Sequence, residues 1–249
     1  MTDGWFDEEV AAAYDRDVAA GSTDAVLGPQ VDFLASLAGH GPALEFAIGT
    51  GRVAVPLSAR GVPVAGIEMS SAMVKRLRAK LGGDAATMPV AIGDMTSTQV
   101  SGRGTFALVY LVFNTIMNVT TQDGQVECFR NAAAHLAPGG SFVVEVGVPD
   151  LRRLPPGERL VAADHSDTHV GIDEYEPATQ EMWSHHVNVG SDGRARRASV
   201  PFRYVWPAEL DLMARLAGLD PVGRWADWTL APFTSESRSH VSVWQKPSG

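Results

Sequence analysis

Three acids stand where chemistry could be done. Glu45 sits inside the apolar run 43–48, Glu68 follows the run 62–67, and Asp94 follows the run 89–93. The first run continues as Glu45-Phe46-Ala47-Ile48-Gly49-Thr50-Gly51. Glycines at a strand-to-helix turn let a ligand approach the backbone and leave helix N-terminal N–H groups free to receive it. The spacing Gly49-x-Gly51-x-x-Ala54, with Glu68 19 residues beyond Gly49, satisfies the dinucleotide fingerprint, in which an acid holds the ribose hydroxyls. Glu45 argues for a different occupant. A carboxylate closing a buried strand repels a pyrophosphate, by ~4 kcal/mol for like charges at about 4 Å and an effective dielectric near 20, and it suits a cation.

S-adenosylmethionine carries an ammonium and a sulfonium and no phosphate, so it meets that electrostatic demand, and Asp94 is placed to read its adenine amino group. Two alternatives stay open. One is an NAD(P)-dependent oxidoreductase, which leaves Glu45 unexplained; the other is a non-catalytic S-adenosylmethionine-binding protein. Schiff-base chemistry is disfavoured, because the only lysines are Lys75, Lys80 and Lys246 and none lies in an apolar strand that would lower its pKa.

From residue 42 to 150 short apolar runs alternate with helical patterns, which predicts a parallel sheet covered on both faces. Pro56 fits a helix only within its first turn, so that helix begins near Val53. Ser70 or Ser71 caps the next, which buries Met73, Leu77 and Leu81 and turns Lys75, Arg76, Arg78 and Lys80 to solvent. Phe106 to Val112 reads as a fourth strand. Thr121 caps a helix with the inward stripe Val126, Phe129, Ala133 and Leu136, and Pro138-Gly139-Gly140 separates it from a fifth strand over 141–146. The rhythm then breaks. Residues 150–205 are polar through about Glu176 and then form a hairpin, with arms 181–189 and 198–205 joined around 190–193. Pro207 opens a last helix, and 222–228 and 240–245 close the chain as strands. The domain organisation expected is one domain over 1–249: N-terminal cofactor-covering helices to 40, a cofactor-binding core over 42–149, a substrate cap over 150–205, and a closing helix and strands over 206–249.

Composition narrows the partners. The 249 residues carry a net charge of −9, which opposes docking on a phosphate backbone. A single cysteine, Cys128, permits no internal disulfide and reads as a buried helix hydrophobe. No 18-residue apolar run and no signal-like N-terminus are present. These features predict a cytoplasmic chain that acts on a small-molecule substrate as a monomer or homodimer, without nucleic acid, membrane or metal.

Glu45 to Gly51, Glu68 in Gly66-Ile67-Glu68-Met69-Ser70, Asp94 in Gly93-Asp94-Met95, and Leu136-Ala137-Pro138-Gly139-Gly140 together resemble the class I S-adenosylmethionine-dependent methyltransferases. The layout is similar to the actinobacterial small-molecule enzymes and to sugar N-methyltransferases of antibiotic pathways. The resemblance implies an α/β, Rossmann-like seven-stranded sheet with its last strand antiparallel, here with an inserted antiparallel cap. It implies cofactor contacts from Tyr14, on an N-terminal helix folded over the cofactor, and from Glu45, Ala47, Gly49, Gly51, Glu68, Met69, Asp94, Met95, Val112 and Asn114. The family's acid-x-Gly-x-Gly-x-Gly turn has Ala47 at its first glycine. If that position needs positive φ, the methyl group costs on the order of 1 kcal/mol.

Substrate and proton-transfer residues are sought in the cap and beside the fourth strand. Phe113 and Met117 read as substrate wall or core, and Trp183 and Tyr204 as substrate wall or cap packing. His185 and His186 are the candidate bases. Alternation sends them to opposite faces of their strand, with His185 expected to share the core-facing side with Trp183 and Val187. His40 and His135, at helix ends, read as solvated.

Overall fold

The computed structural model describes residues 8–17, 23–190 and 192–248; residues 1–7, read above for a leader, and Ser191 of the hairpin turn lie outside them. The elements run α1 (Glu8–Asp17), α2 (Asp24–Ala38), β1 (Ala43–Phe46), α3 (Ala54–Ala59), β2 (Val64–Glu68), α4 (Ser71–Leu81), β3 (Val90–Ile92), β4 (Phe106–Leu111), α5 (Gln122–His135), β5 (Leu136–Gly147), β6 (Leu160–His165), β7 (His169–Glu176), β8 (Glu181–Val189), β9 (Ala195–Arg203), α6 (Pro207–Leu216), β10 (Asp220–Trp225) and β11 (Ser239–Gln245).

Seven strands form one sheet in the order β10-β11-β5-β4-β1-β2-β3. β1 pairs in parallel with both β2 and β4, so the chain reverses its direction of travel across the sheet beside β1. That is the switch point where open α/β sheets form a crevice at their strand carboxyl ends. β11 runs antiparallel between β5 and β10. Both faces are covered, and for this reason β1 is buried at all four residues and is apolar at every one but Glu45. Leu34, Leu57, Leu77 and Leu108 fill the layer under α2, α3 and α4. Phe129, Phe142, Leu210 and Trp244 fill the opposite layer under α5 and α6.

The predicted helix starts hold. Val53 precedes α3, the Ser70 hydroxyl accepts from Met73 N, and the Thr121 hydroxyl accepts from Gly124 N. α5 buries more than its expected stripe: Gln125, Asn131 and His135 are buried as well. His135 is therefore not solvated. Its Nδ1 lies 2.8 Å from Asn131 O and its Nε2 3.2 Å from Val100 N, and the two contacts satisfy an imidazole that burial holds below its ordinary pKa.

Between β5 and α6 the chain builds a second, four-stranded antiparallel sheet, β6-β7-β8-β9. The predicted hairpin is β8–β9; the other two strands lie in the stretch read only as polar. All of β6 except Val161 is exposed, so its sequence carries no buried face to read. Tyr175, Met182 and Tyr204 form a separate small core beneath this sheet.

Candidate active site

The turn after β1 has positive φ at Ala47 (53°), Gly49 (57°) and Gly51 (79°). Ala47 thus holds the left-handed conformation that costs an L-residue about 1–2 kcal/mol, and strain of this kind persists where surrounding structure over-determines it. Gly51 cannot carry a side chain, because a Cβ there would overlap Leu77 Cδ1. Glu68 staples the turn from the next strand: one carboxylate oxygen accepts from Gly49 N and the other from Ser70 N, both at 2.8 Å. Glu45 lies beneath the turn, only 4% exposed. It accepts from the Tyr110 hydroxyl at 2.9 Å and from the Ala54 backbone. Burial raises its pKa to about 8, against the opposing pull of that hydroxyl and of nearby Arg52.

Helix α1 is tied over this turn. Asp15 accepts from Thr50 Oγ1 at 2.6 Å and from Lys80 Nζ at 2.7 Å, and Lys75 pairs with Glu8 at the other end of the helix. Tyr14 is held among Arg52, Glu45 and Glu68, and burial raises its pKa. Of the two N-terminal helices only α1 covers the turn, while α2 belongs to the layer under the sheet.

A cavity of about 220 Å³ opens at the carboxyl ends of β1, β2 and β3, lined by Ala47, Glu68, Met69, Asp94 and Met95 among others. Asp94 uses one oxygen to accept from Thr96 N and Thr96 Oγ1. Ile67, Met95 and Val119 supply apolar walls, and Asn118 and Thr121 polar ones. The acids Glu68 and Asp94, an apolar slot and, among the described residues, no basic lining residue fit S-adenosylmethionine and do not fit a diphosphate. Val112 is buried in the core and lines neither cavity.

The loop after β4 separates this cavity from a second. Phe113 (φ 60°) and Asn114 (φ 61°) are both left-handed, an uncommon pair of non-glycine residues. Glu145 at the end of β5 holds them, one oxygen accepting from Phe113 N at 2.9 Å and the other from Trp228 Nε1 at 2.8 Å. Asn114 Oδ1 accepts from Gly147 N, and the Arg52 guanidinium lies 4.6 Å over the Phe113 ring. The second cavity, about 620 Å³, lies between this loop and the inner face of the four-stranded sheet. Phe113, Asn114, Met117, Tyr204 and His186 line it. Asn114, expected beside the cofactor, thus faces this second cavity.

Trp183 and His185 do not line it. The alternation on β8 is as expected but the face is inverted: Met182, Ser184 and His186 point inward, and Trp183 is 40% exposed. The expectation followed the large apolar residues of β8 itself, whereas the inner face is set by Tyr175 on β7 and by Phe202 and Tyr204 at the end of β9. His185 instead meets Ser199 at 2.8 Å and Glu174 at 3.2 Å on the outer face. Asp164, Asp173, Ser184 and Glu145 were not singled out from the sequence. Asp164 and Asp173 lie on β6 and β7, in the stretch read only as polar, Ser184 lies on the face of β8 read as the outer one, and the signal for Glu145 was its place at the end of the fifth apolar run.

A family profile described as a methyltransferase domain matches residues 43–140. The solved structure of the CcbJ methyltransferase from Streptomyces caelestis is 36% identical, covers 89% of each chain, and superposes with a TM-score of 0.80. The chain belongs to the class I S-adenosylmethionine-dependent methyltransferases. The cypemycin N-terminal methyltransferase of a Streptomyces species is 25% identical over 97% of both chains. At the level of fold, the methyltransferase also matches the S-adenosylmethionine-bound amino pentose methyltransferase CalS10 from Micromonospora echinaspora (19% identity, 88% and 89% coverage, TM-score 0.65). Membership sets aside the oxidoreductase and the non-catalytic readings. Among the described residues no helix of this methyltransferase is long and apolar enough to cross a membrane.

Proposed function

We propose that this methyltransferase transfers the methyl group of S-adenosylmethionine to an amine nitrogen of a small natural-product-like molecule held in the 620 Å³ cavity beneath the cap. One observation carries the choice of nucleophile: among the described residues, the charged side chains lining that cavity are Asp164 and Asp173, and no lysine or arginine lines it. A carboxylate acceptor would meet like charge there, whereas an ammonium is attracted. The names of the cypemycin N-terminal and amino pentose methyltransferases agree with nitrogen as the acceptor atom.

The cofactor supplies an electrophilic methyl on a sulfonium that leaves as a neutral thioether. The protein's part is to orient: positioning reacting atoms about 3–3.5 Å apart supplies much of such a rate. In this reading Glu68 binds the ribose and Asp94 the adenine, while Glu45 and Tyr14 face the amino-acid end. Phe113 and Asn114, fixed by Glu145, form the partition through which the methyl passes. Met117 and Tyr204 are apolar walls for the acceptor. His186 is the histidine available to proton transfer, and His185 is not.

The test uses methyl-labelled S-adenosylmethionine and a panel of small molecules matched in skeleton but bearing an amine, a hydroxyl or a carboxylate. Label should enter amine members only. Label in hydroxyl or carboxylate members, with none in amines, overturns the assignment.

A further inference from the structure

The outer face of the cap sheet carries a contiguous apolar patch. Residues directly opposite one another on neighbouring strands share a face. The register therefore carries Trp183 of β8 across to Glu174 on β7 and Pro201 on β9, His185 across to Ile172 and Ser199, and Val187 across to Val170 and Arg197. Leu160 on the edge strand β6 extends the row of Glu174. Leu160 is 58% exposed, Val170 43%, Trp183 40%, and Val189 at the hairpin tip 41%. Large apolar side chains scattered singly over a surface are ordinary, whereas a patch of them on one sheet face marks a surface for a partner.

Charge decides which partner. Glu174 and Arg197 stand at opposite corners of the patch, one row to either side of His185. Glu174 Oε2 lies 3.2 Å from His185 Nε2, and Arg197 Nη2 lies 3.4 Å from His185 Nδ1. A face with an acid at one corner and a base at the corner diagonally opposite is complementary to itself. A two-fold axis in the plane of contact, passing through His185 at right angles to that diagonal, sets Glu174 of one copy on Arg197 of the other and Arg197 on Glu174. This is the isologous contact of a C2 dimer, in which both copies offer the same patch. The area suffices. Four strands about 4.8 Å apart and about eight residues long, at about 3.4 Å each, present roughly 500 Å² per copy. Two copies bury roughly 1,000 Å², the least that a specific interface requires.

We infer that two copies of this methyltransferase associate through the outer faces of their cap sheets, with Trp183, Ile172, Val170 and Val187 as the apolar middle and Glu174 paired with Arg197 across the axis at both ends. The small area makes the dimer concentration-dependent. Trp183 and His185 alternate along β8 with Ser184 and His186, which line the second cavity, so each partner backs the strand that forms a wall of that cavity in the other.

The test is sedimentation equilibrium of the full chain from about 1 to about 200 µM. The mass should rise from that of one chain toward that of two across this range. Val170→Lys puts a charge in the apolar middle and should keep the mass of one chain throughout; Trp183→Lys serves if that variant fails to fold. Glu174→Arg sets base against base and Arg197→Glu sets acid against acid, so each alone should weaken association at least about tenfold. Mixed in equal amounts, the two variants meet base to acid at both corners, and the mixture should regain the mass of two chains where the wild type does. Unchanged affinity for S-adenosylhomocysteine checks that each variant keeps its core. A wild type that holds the mass of one chain over the whole range overturns the inference. So does a dimer that survives Val170→Lys and both charge reversals, because its interface lies elsewhere, and so do two reversal variants that stay apart when mixed.

Discussion

Glu45 is protonated in the folded protein through most of the neutral range, because burial raises its pKa from 4.5 to about 8. The folded state therefore binds more protons than the unfolded chain between those two values, and stability falls as pH rises across that window, by on the order of a few kcal/mol. A ligand ammonium at the turn favours the ionised form. Binding of S-adenosylhomocysteine at pH 6.5 should then release close to one proton, read by calorimetry in two buffers of different ionisation enthalpy, and the release should vanish above pH 9 and in Glu45→Gln. Zero release at pH 6.5 would make Glu45 a support for the turn alone. At this scale the sequence was informative wherever a polar residue interrupts an apolar run. Glu45 and Glu68 stand out for that reason, and Ala47 does by displacing a glycine. The two histidines were separable only by a face, and β8 alone cannot say which face is inner: Trp183 argued for one, and Tyr175, Phe202 and Tyr204, on other elements, decided for the other.

Among the elements, the loop from Val112 to Val119 has the most demanding position, since it forms a wall of both cavities. Of its two left-handed residues, Phe113 is held by the Glu145 carboxylate and Asn114 by the backbone of Glu145 and Gly147. Glu145→Ala leaves the Phe113 and Trp228 N–H groups without that acceptor, at about 1–3 kcal/mol for each donor stranded from water. The expected result is a lower Tm and an acceptor KM raised about tenfold or more, with S-adenosylhomocysteine affinity reduced less, because Glu68 and Asp94 are anchored elsewhere. Equal loss of both affinities would mean that the loop serves the cofactor as much as the acceptor. The helices and core strands were legible because each buries a periodic face and carries its own cap, as at Ser70 and Thr121. β6 and β7 were not, because a cap sheet with one solvated side and a cavity on the other has few apolar residues to repeat. The exposed edge strand β6 shows no alternation at all.

For the molecule as a whole, the cap is joined to the core by one buried polar knot. Arg203, at the end of β9 and 5% exposed, donates to Glu209 on α6 at 2.7 Å, to Gln180 at 3.1 Å, and to Gln125 on α5. Gln125 in turn donates to Ile116 O in the loop between the cavities and to Arg203 O. Burial would raise the pKa of Glu209, but its hydrogen bonds from Gln180, Arg203 and Gln122 hold it below the ordinary value. Nothing in the sequence marks this knot, since Arg203 reads as one more basic residue in a polar hairpin and its partners lie on three other elements. The seven-stranded core, by contrast, follows from the alternation of apolar runs and helices. Removing one partner of a buried ion pair costs about 3–5 kcal/mol, because the other charge is left uncompensated. Arg203→Met should concentrate that loss in the cap. Amide exchange in β7, β8 and β9 should quicken at least a hundredfold while β1, β4 and β5 keep their protection, and S-adenosylhomocysteine affinity should stay within about twofold. If exchange quickens by the same factor in both sheets, cap and core unfold as one unit and the knot is ordinary core. If it quickens in the cap alone, acceptor recognition is carried by a sheet that can open while the cofactor turn stays formed.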